Sequence, residues 1–361
     1  MKIVKSDETG LGEAARTLLA GGVAVVPTDT VYGLAAHPGF PDAVRRLYTI
    51  KERAAAKPIA LLASGADAAE RFLGGMDAQA RRLAARHWPG ALTLVLPRAD
   101  GGGFEGVRVP DHAFARELIA RCGGVLRVTS ANLSGGQPAT AAAQALADVG
   151  LEADVVVDGG VSPGGVASTV AKCAGGVIEL LREGPVAFLV LASGSPRRAK
   201  ILRDHGVDFT VAKSDAAETS FPDDPERTVR VNALAKGAAA KRGGKVLSAD
   251  TIVWYGGRIY GKPRDLDEAR RFLRELSGRV HTVFTGVAYC GEAKVVRSDV
   301  KFRALSDAAI EEYVRRVRPL DRAGAYDIDE SGDLIVESYT GSYENIMGLP
   351  LGPLREWGIV E

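Results

Sequence analysis

The sequence predicts an α/β protein of two domains, residues 1–186 and 187–361, each a twisted mixed sheet flanked by helices. Three observations predict it. Short apolar, β-branched runs alternate along the chain with longer stretches of helical periodicity. That pattern restarts with a very apolar strand just after Gly184-Pro185, with almost no linker between. The 361 residues, 46% of them apolar, suffice for two independent cores.

In the first half the strand candidates run from Val23 to Pro27, Pro58 to Leu62, Ala91 to Leu96, Val125 to Thr129, Asp154 to Val157 and Val177 to Leu181. The segments Asp42 to Ile50, Ala78 to His87 and Asp111 to Arg121 carry helical spacing, and Asp42 and Asp111 sit near the N-terminal ends that favour acidic residues. The second half begins with a strand from Phe188 to Ala192. A helix from Pro196 to His205, closed by Gly206, follows it. Next come a long Ala-rich helix from Pro225 to Lys241, a strand from Lys245 to Asp250, and a hairpin from Ile252 to Tyr260 turning at Gly256-Gly257. Strands from Thr282 to Cys290 and Lys294 to Phe302 and a helix from Asp307 to Val317 complete the pattern.

Composition excludes several classes. Lys+Arg number 46 against Asp+Glu 45, divided 19 against 19 up to Pro185 and 27 against 26 after it. Neither half is therefore a polybasic nucleic-acid binder on charge alone. The cysteines Cys122, Cys173 and Cys290 are far apart and share no CxxC or Cys/His cluster. A reduced cytoplasmic chain with buried thiols is the expectation. The polar start and the absence of a bilayer-length apolar run argue against secretion and membrane insertion.

Chemistry in the first half gathers at strand ends. Pro27-Thr28-Asp29-Thr30-Val31-Tyr32-Gly33 leaves a predicted strand where open α/β sheets place their crevices. Lys51-Glu52-Arg53 follows a short helix, and its two cations converge on one anion only if they lie outside that helix; alone, the triplet reads equally as a solvated helix end. Ser130-Ala131-Asn132 follows another strand and offers an uncharged hydroxyl and amide for orientation or base and ribose reading, or simply for a turn. As an ordered set, PTDTVYG, KER, WPGALTLVL, VRVP, TSANLSG, GGVSPGGVAST and LLREGP resemble the YrdC-like threonylcarbamoyl-AMP synthase family across nearly all of residues 10–186. The resemblance implies ATP, L-threonine and bicarbonate as substrates with Mg2+, and threonylcarbamoyl-AMP and pyrophosphate as products, in service of tRNA modification. It assigns Lys51, Arg53 and Arg182 to the phosphates and Thr28, Arg108 and Ser168 to threonine, with Ser130 and Asn132 completing the Lys-x-Arg and Ser-x-Asn signature. No protein nucleophile is implied; the task is charge neutralisation and positioning.

In the second half, Ser193-Gly194-Ser195-Pro196-Arg197-Arg198 opens a helix, with Ser195 suited to the N-cap and Pro196 to the first helical position. Free N–H groups and two arginines there suit a phosphate, although a well-capped helix with two solvated arginines fits the hexapeptide equally. The strand from Lys245 is expected to end at Asp250-Thr251 and so deliver a carboxylate to the sheet edge. Asp250 reads as a Mg2+ ligand, a general base or a turn residue. Gly261-Lys262-Pro263 adds a lysine in a rigid loop. With Leu276-Ser277-Gly278, Ala323-Gly324-Ala325-Tyr326 and Met347-Gly348-Leu349-Pro350, these motifs resemble the Maf family of nucleoside triphosphate pyrophosphatases over residues 188–358. The resemblance implies a nucleotide cleft, a divalent metal (Mg2+ or Mn2+), Asp250 as proton acceptor and metal ligand, Glu218 as second metal-side group, and Ser195, Arg197, Lys236 and Lys262 on the phosphates. Arg197 and Thr251 mark the dTTP/UTP-preferring branch. Asp329 stands where that branch has Gln, keeping an acceptor and losing the amide donor, so pyrimidine reading is expected to change.

Two further coincidences are set aside. Leu133-Ser134-Gly135-Gly136-Gln137 lacks the phosphate-binding loop its transporter-ATPase counterpart requires, and Gly160-Val161-Ser162-Pro163-Gly164 is not set between a strand and a helix as a nucleophile elbow must be. A dehydrogenase is disfavoured because no GxGxxG follows a strand. The leading expectation is a bifunctional enzyme. The alternative keeps only the second domain catalytic, with the first as an RNA- or nucleotide-binding module; homodimerisation and tRNA-modification partner proteins are left open.

Overall fold

A computed structural model describes residues 1–54, 56–174, 176–240 and 244–361. The chain divides into two compact units, Met1–Ala187 and Phe188–Glu361, each α/β. Among the described residues no helix is long and apolar enough to cross a membrane.

The first unit runs β1 (Lys2–Lys5), α1 (Glu8–Leu19), β2 (Val23–Val26), β3 (Gly33–Ala36), α2 (Pro41–Ile50), β4 (Leu61–Ala63), α3 (Ala66–Leu73), α4 (Ala78–His87), β5 (Leu92–Pro97), β6 (Phe104–Arg108), α5 (Ala113–Arg121), β7 (Val125–Ser130), α6 (Ala142–Asp148), β8 (Val155–Asp158), β9 (Thr169–Ala174) and β10 (Val177–Arg182). Its strands lie side by side in the order β1-β8-β2-β3-β7-β4-β6-β5-β9-β10, with parallel and antiparallel neighbours mixed. The period of two divides the apolar residues between the faces. Val23 and Val25 pack under α2 and α6, whereas Ala24 and Val26 pack under α1 and α5. Burial on both faces is why β2 reads as an unbroken apolar run.

Two expectations shift here. The strand predicted from Pro58 starts at Leu61, because Ile59 and Ala60 turn their carbonyls to Arg127 and to the Val128 amide. Cys290, expected to be buried, is exposed in the β-turn of the second unit; Cys122 and Cys173 are buried.

The second unit runs β11 (Leu189–Leu191), α7 (Pro196–Asp204), β12 (Phe209–Val211), α8 (Pro225–Ala239), β13 (Val246–Tyr255), β14 (Arg258–Tyr260), α9 (Leu266–Leu276), β15 (Val280–Tyr289), β16 (Glu292–Phe302), α10 (Asp307–Val317), β17 (Val336–Thr340), α11 (Tyr343–Met347) and α12 (Leu351–Glu356). The Lys241 end expected for the Ala-rich helix lies outside the described residues. Parallel strands β12, β11 and β13 continue into the antiparallel β15, β16 and β17. Leu247 and Ala249 face a core built with α7 and α12, Val253 and Val283 face one built with α9 and α10, and Ile252 and Phe284 turn to the opposite face under α8.

The strand expected to end at Asp250 does not end there. β13 is ten residues long and holds Asp250 and Thr251 in its middle. The cause is β15, which pairs with β13 continuously from Leu247 to Trp254 and keeps it extended. The other side of β13 is bonded to β11 only at Val246 and Leu247 and to β14 only from Val253. Among the described residues, Ser248–Ile252 therefore has one strand partner and a lateral opening.

Candidate active sites

A cavity of about 780 Å³ occupies that lateral opening in the second unit. Adjacent residues of a strand project to opposite faces, so Asp250 and Thr251 serve different walls. Asp250, 5% exposed, turns toward α8. There Asn232 Nδ2 donates to its Oδ2 at 3.1 Å and Lys236 Nζ donates to its Oδ1 at 2.5 Å. Asn232 and Lys236 are four residues apart and share one face of the helix. The same Nζ reaches Glu218 Oε1 at 2.6 Å, so one ammonium bridges two carboxylates. The helix comes this close because Gly286 lies opposite Asp250 on β15, where a Cβ would stand 2.2 Å from the Val229 carbonyl oxygen.

Thr251 faces the other wall, with Thr285 Oγ1 at 3.0 Å and Arg198 Nη2 at 3.0 Å. Ser195 holds the N-cap position of α7, but its hydroxyl does not cap the helix; its N–H donates to Ser193 Oγ at 3.2 Å. Arg198, expected to join Arg197 on a phosphate, is committed elsewhere. It donates to Ser193 Oγ, to the carbonyls of Ala249 and Gly348 and to Thr251, tying three wall segments together. Burial pulls its guanidinium down to about 10, against the attraction of Asp250. Arg197 lines the cavity and donates to Asp327 Oδ2 at 3.1 Å, and Lys262 lines it too. Asp329 is not among the lining residues: it is partly exposed, accepts from Tyr343 Oη at 3.1 Å and lies 3.9 Å from Lys200. Of this segment the acids that line the cavity are Asp321 and Asp327, the latter two residues before Asp329 and with Tyr326 and Ile328 beside it.

Two carboxylates within reach of one bridging cation suit a hard divalent ion, which takes one or two protein carboxylates and fills its shell with phosphate and water oxygens. Among the described residues no group of three His, Cys, Asp or Glu side chains could enclose a metal by itself. Asp250 and Glu218 fit an ion that arrives with a polyphosphate.

The first unit brings its two signatures together. Lys51 caps the C-terminus of α2, and Glu52 with φ 49° breaks the helix, so that Lys51 and Arg53 leave it in a tight turn. Lys51 is 1% exposed, and its ammonium donates to the carbonyls of Ser130 and Asn132, with Asn132 Oδ1 at 3.4 Å and Ser130 Oγ at 3.5 Å. Burial, and then the charge of Arg53, push it down to about 8. Arg53 reaches the carbonyls of Lys57 and Pro58. Arg182 donates to Ser168 O at 2.7 Å and Ser168 Oγ at 3.1 Å, and burial and Arg53 lower it as well. Arg108 donates to Gly90 O, to Thr30 Oγ1 at 2.7 Å and to Asp29; burial lowers it despite Asp29, and Arg182 adds to the lowering. Thr28 Oγ1 is within 3.1 Å of Thr30 Oγ1. Four cations thus share one field, and among the described residues Asp29 is the one carboxylate bonded to them.

Asn232, Asp327, Asp29 and the true task of Arg198 escaped the sequence reading. The Asn232-x-x-x-Lys236 spacing was a usable signal; the other three depend on contacts between distant segments.

Comparison with known proteins gives a different relative for each unit. Residues 188–357 match the family model described as "Maf-like protein", and residues 16–184 match the Sua5/YciO/YrdC model described as "Telomere recombination". The dTTP/UTP pyrophosphatase of Thermosipho melanesiensis is 38% identical over 176 residues, 48% of this chain and 96% of that protein. The dTTP/UTP pyrophosphatase of Myxococcus xanthus is 45% identical over 173 residues, 46% of this chain and 88% of its own length. Among solved structures, a doubly alanine-substituted form of P. abyssi Sua5 aligns with a TM-score of 0.51 and 27% identity over 61% of this chain. The chain spans 65% of that protein, and 62% of the same protein complexed with L-threonine, which aligns at 0.49 and 29% identity over 58% of this chain. Residues 16–184 match the Sua5/YciO/YrdC model, and through residues 188–357 the chain belongs to the Maf family.

Proposed function

We propose that the second unit hydrolyses nucleoside triphosphates, dTTP and UTP foremost, to the monophosphate and pyrophosphate. We propose further that the first unit forms threonylcarbamoyl-AMP from ATP, L-threonine and bicarbonate. The observation that carries the first reading is Asp250 in a cavity of about 780 Å³, oriented by Asn232 and Lys236 with Glu218 beside them. A water oxygen bonds to phosphorus as its proton passes to Asp250, and the electron pair of the breaking P–O bond leaves with the departing phosphate oxygen. Asp250 and Glu218 would hold a divalent ion, which would supply charge neutralisation at the phosphates. Lys236, which bridges the same two carboxylates, would be free to turn to phosphate oxygens were those carboxylates neutralised by such an ion. Lys262 and the α7 N-terminus bring further donors to the same polyphosphate.

In the first unit a carbamate oxygen attacks the α-phosphorus and pyrophosphate departs, so two anions must be brought together. Lys51, Arg53 and Arg182 supply the opposing charge, while Arg108, Thr28 and Ser168 surround the threonine. The intact juxtaposition of Lys51 with Ser130 and Asn132 supports an enzyme over an RNA-binding module.

Pyrophosphate release across a nucleotide panel, with and without threonine and bicarbonate, tests both readings. Release from dTTP and UTP should need neither co-substrate, and release from ATP in the first unit should need both. If one of these activities is missing from the wild-type chain, the reading fails for that unit.

A further inference from the structure

The wall of the cavity opposite Asp250 contains an acid that neither reaction step uses. Asp327 is 6% exposed, and both of its carboxylate oxygens are taken. Oδ2 accepts from Arg197 Nη1 at 3.1 Å and from Arg322 Nε at 2.9 Å, and Oδ1 accepts from the Asp329 N–H at 2.9 Å. Its backbone is pinned too, since its N–H donates to Tyr313 Oη at 2.8 Å and its carbonyl accepts from the same hydroxyl at 3.3 Å. Arg322 fastens the loop further through Asp321 at 2.7 Å and Glu330 at 2.6 Å. The carboxylate is therefore a fixed anchor, and Arg197 is the movable group it holds.

Lys236 and Glu218 stand beside Asp250, and the lining of the same cavity also includes the apolar side chains of Val283, Ile346 and Met347 and the ring of Tyr326. The charged groups suit phosphates and the apolar ones a flat base. Arg197 is tied to Asp327, next to Tyr326 in the chain. A guanidinium has five donors and no acceptor, and one Arg197 donor is spent on Asp327. What remains can bond only an acceptor. With its lone pairs taken by two arginines and an amide, Asp327 offers little to an exocyclic amine.

We propose that Asp327 is a positioning residue for base selection: it holds Arg197 so that its free N–H donors meet the C4 position of a pyrimidine, where uracil and thymine carry an oxygen and cytosine an amine. This wall then favours oxo bases over amino bases. The inference rests on the triphosphate-hydrolase reading of this unit and assigns the selection to Asp327 and Arg197, with no part for the exposed Asp329.

UTP and CTP test it directly, because their bases differ along one edge: uracil carries a C4 carbonyl beside a protonated N3, and cytosine carries a C4 amine beside an unprotonated N3. The full-length wild-type chain should favour UTP in kcat/KM. Asp327→Asn should lower the UTP-to-CTP ratio by about tenfold or more, the size expected for a lost charged hydrogen bond. Asp329→Asn should leave the ratio within about twofold. In an Arg197→Gln background, Asp327→Asn should change the ratio no further, whereas a merely structural role would lower both nucleotides alike in either background. Should Asp327→Asn fail to fold, Arg197→Gln alone decides, and an unchanged ratio overturns the inference. A ratio that follows Asp329, or that ignores Asp327 in a folded variant, also overturns it. A wild-type chain that hydrolyses neither nucleotide instead overturns the hydrolase reading and this inference with it.

Discussion

The two candidate sites hold their cations on opposite electrostatic plans. In the first unit Lys51, Arg53 and Arg182 rest on backbone carbonyls and repel one another, leaving a net positive pocket. In the second, Lys236 is matched by Asp250 and Glu218, and Arg197 by Asp327. Carbonyl dipoles can hold a cation in place without cancelling its charge, so the first pocket suits a polyanion by itself. Carboxylates do cancel it, so the second suits a polyanion that comes with a cation. The contrast accords with the chemistry proposed for each: positioning two anions in one case, activating water in the other.

The largest expected effect separates the two units. Asp250→Asn removes the proton acceptor with little change of shape, and hydrolysis of dTTP or UTP should fall by about a thousandfold, within the span for general-base loss. Threonine-dependent pyrophosphate release from ATP should be unchanged. A parallel fall in both would break the comparison.

Next in size, Lys51→Met should lower threonine- and bicarbonate-dependent release by about a hundredfold, comparable with losing one preorganised donor to a developing charge. It should leave dTTP hydrolysis intact. Circular dichroism separates this from unfolding, because removing a buried cation also removes its desolvation cost.

A smaller change is expected at Glu218, which stands at the more exposed end of the Lys236 bridge. Glu218→Gln should raise the Mg2+ concentration for half-maximal hydrolysis by about tenfold, in the range seen when one metal-site group is altered. Isothermal titration with Mn2+ and a nucleoside triphosphate would give the same ratio without turnover. An unchanged metal requirement would place the ion elsewhere.

The smallest effect is a pH dependence confined to the first unit. Burial holds Lys51 at about 8 in the folded chain against 10.5 for a solvated lysine. Between those values the unfolded chain binds more protons than the folded one. The stability of the nucleotide-free unit therefore rises with pH across that window, as the cost of burying the charge disappears. ATP needs the charged form, so its affinity should weaken several-fold as pH passes about 8, and ATP-induced thermal stabilisation would report it. Lys51→Arg, charged throughout, should flatten the profile.

Much of the architecture was legible beforehand. The helix from Ala78 to His87 has the bounds the periodicity predicts, and the hairpin turns at Gly256-Gly257. Other elements were hidden because their stability is not local. α1 went unseen because two glycines in its first turns lower helix propensity. Gly10 is nonetheless required there, since a Cβ would stand 1.9 Å from the Lys5 carbonyl oxygen. β3 is four residues, Gly33–Ala36, three of them Gly or Ala, which become a strand because β2 and β7 flank them.

The sites divide in the same way. Sequence alone determined the residue types and the order of the motifs: Lys-x-Arg, Ser-x-Asn, the Ser-Pro-Arg helix start, and an Asp-Thr pair in an apolar strand. These are local statements, fixed by spacing along one segment. Only the tertiary structure decided that Asp250 sits mid-strand and turns toward α8, that Arg198 is spent on the wall segments, and that Asp327 rather than Asp329 lines the cavity. Each depends on which distant backbone supplies the partner: β15 for the strand, Gly348 for the arginine, Arg197 and Arg322 for the aspartate. A buried charged group must find such a partner or lose its charge, and the sequence names the group before the fold supplies the partner.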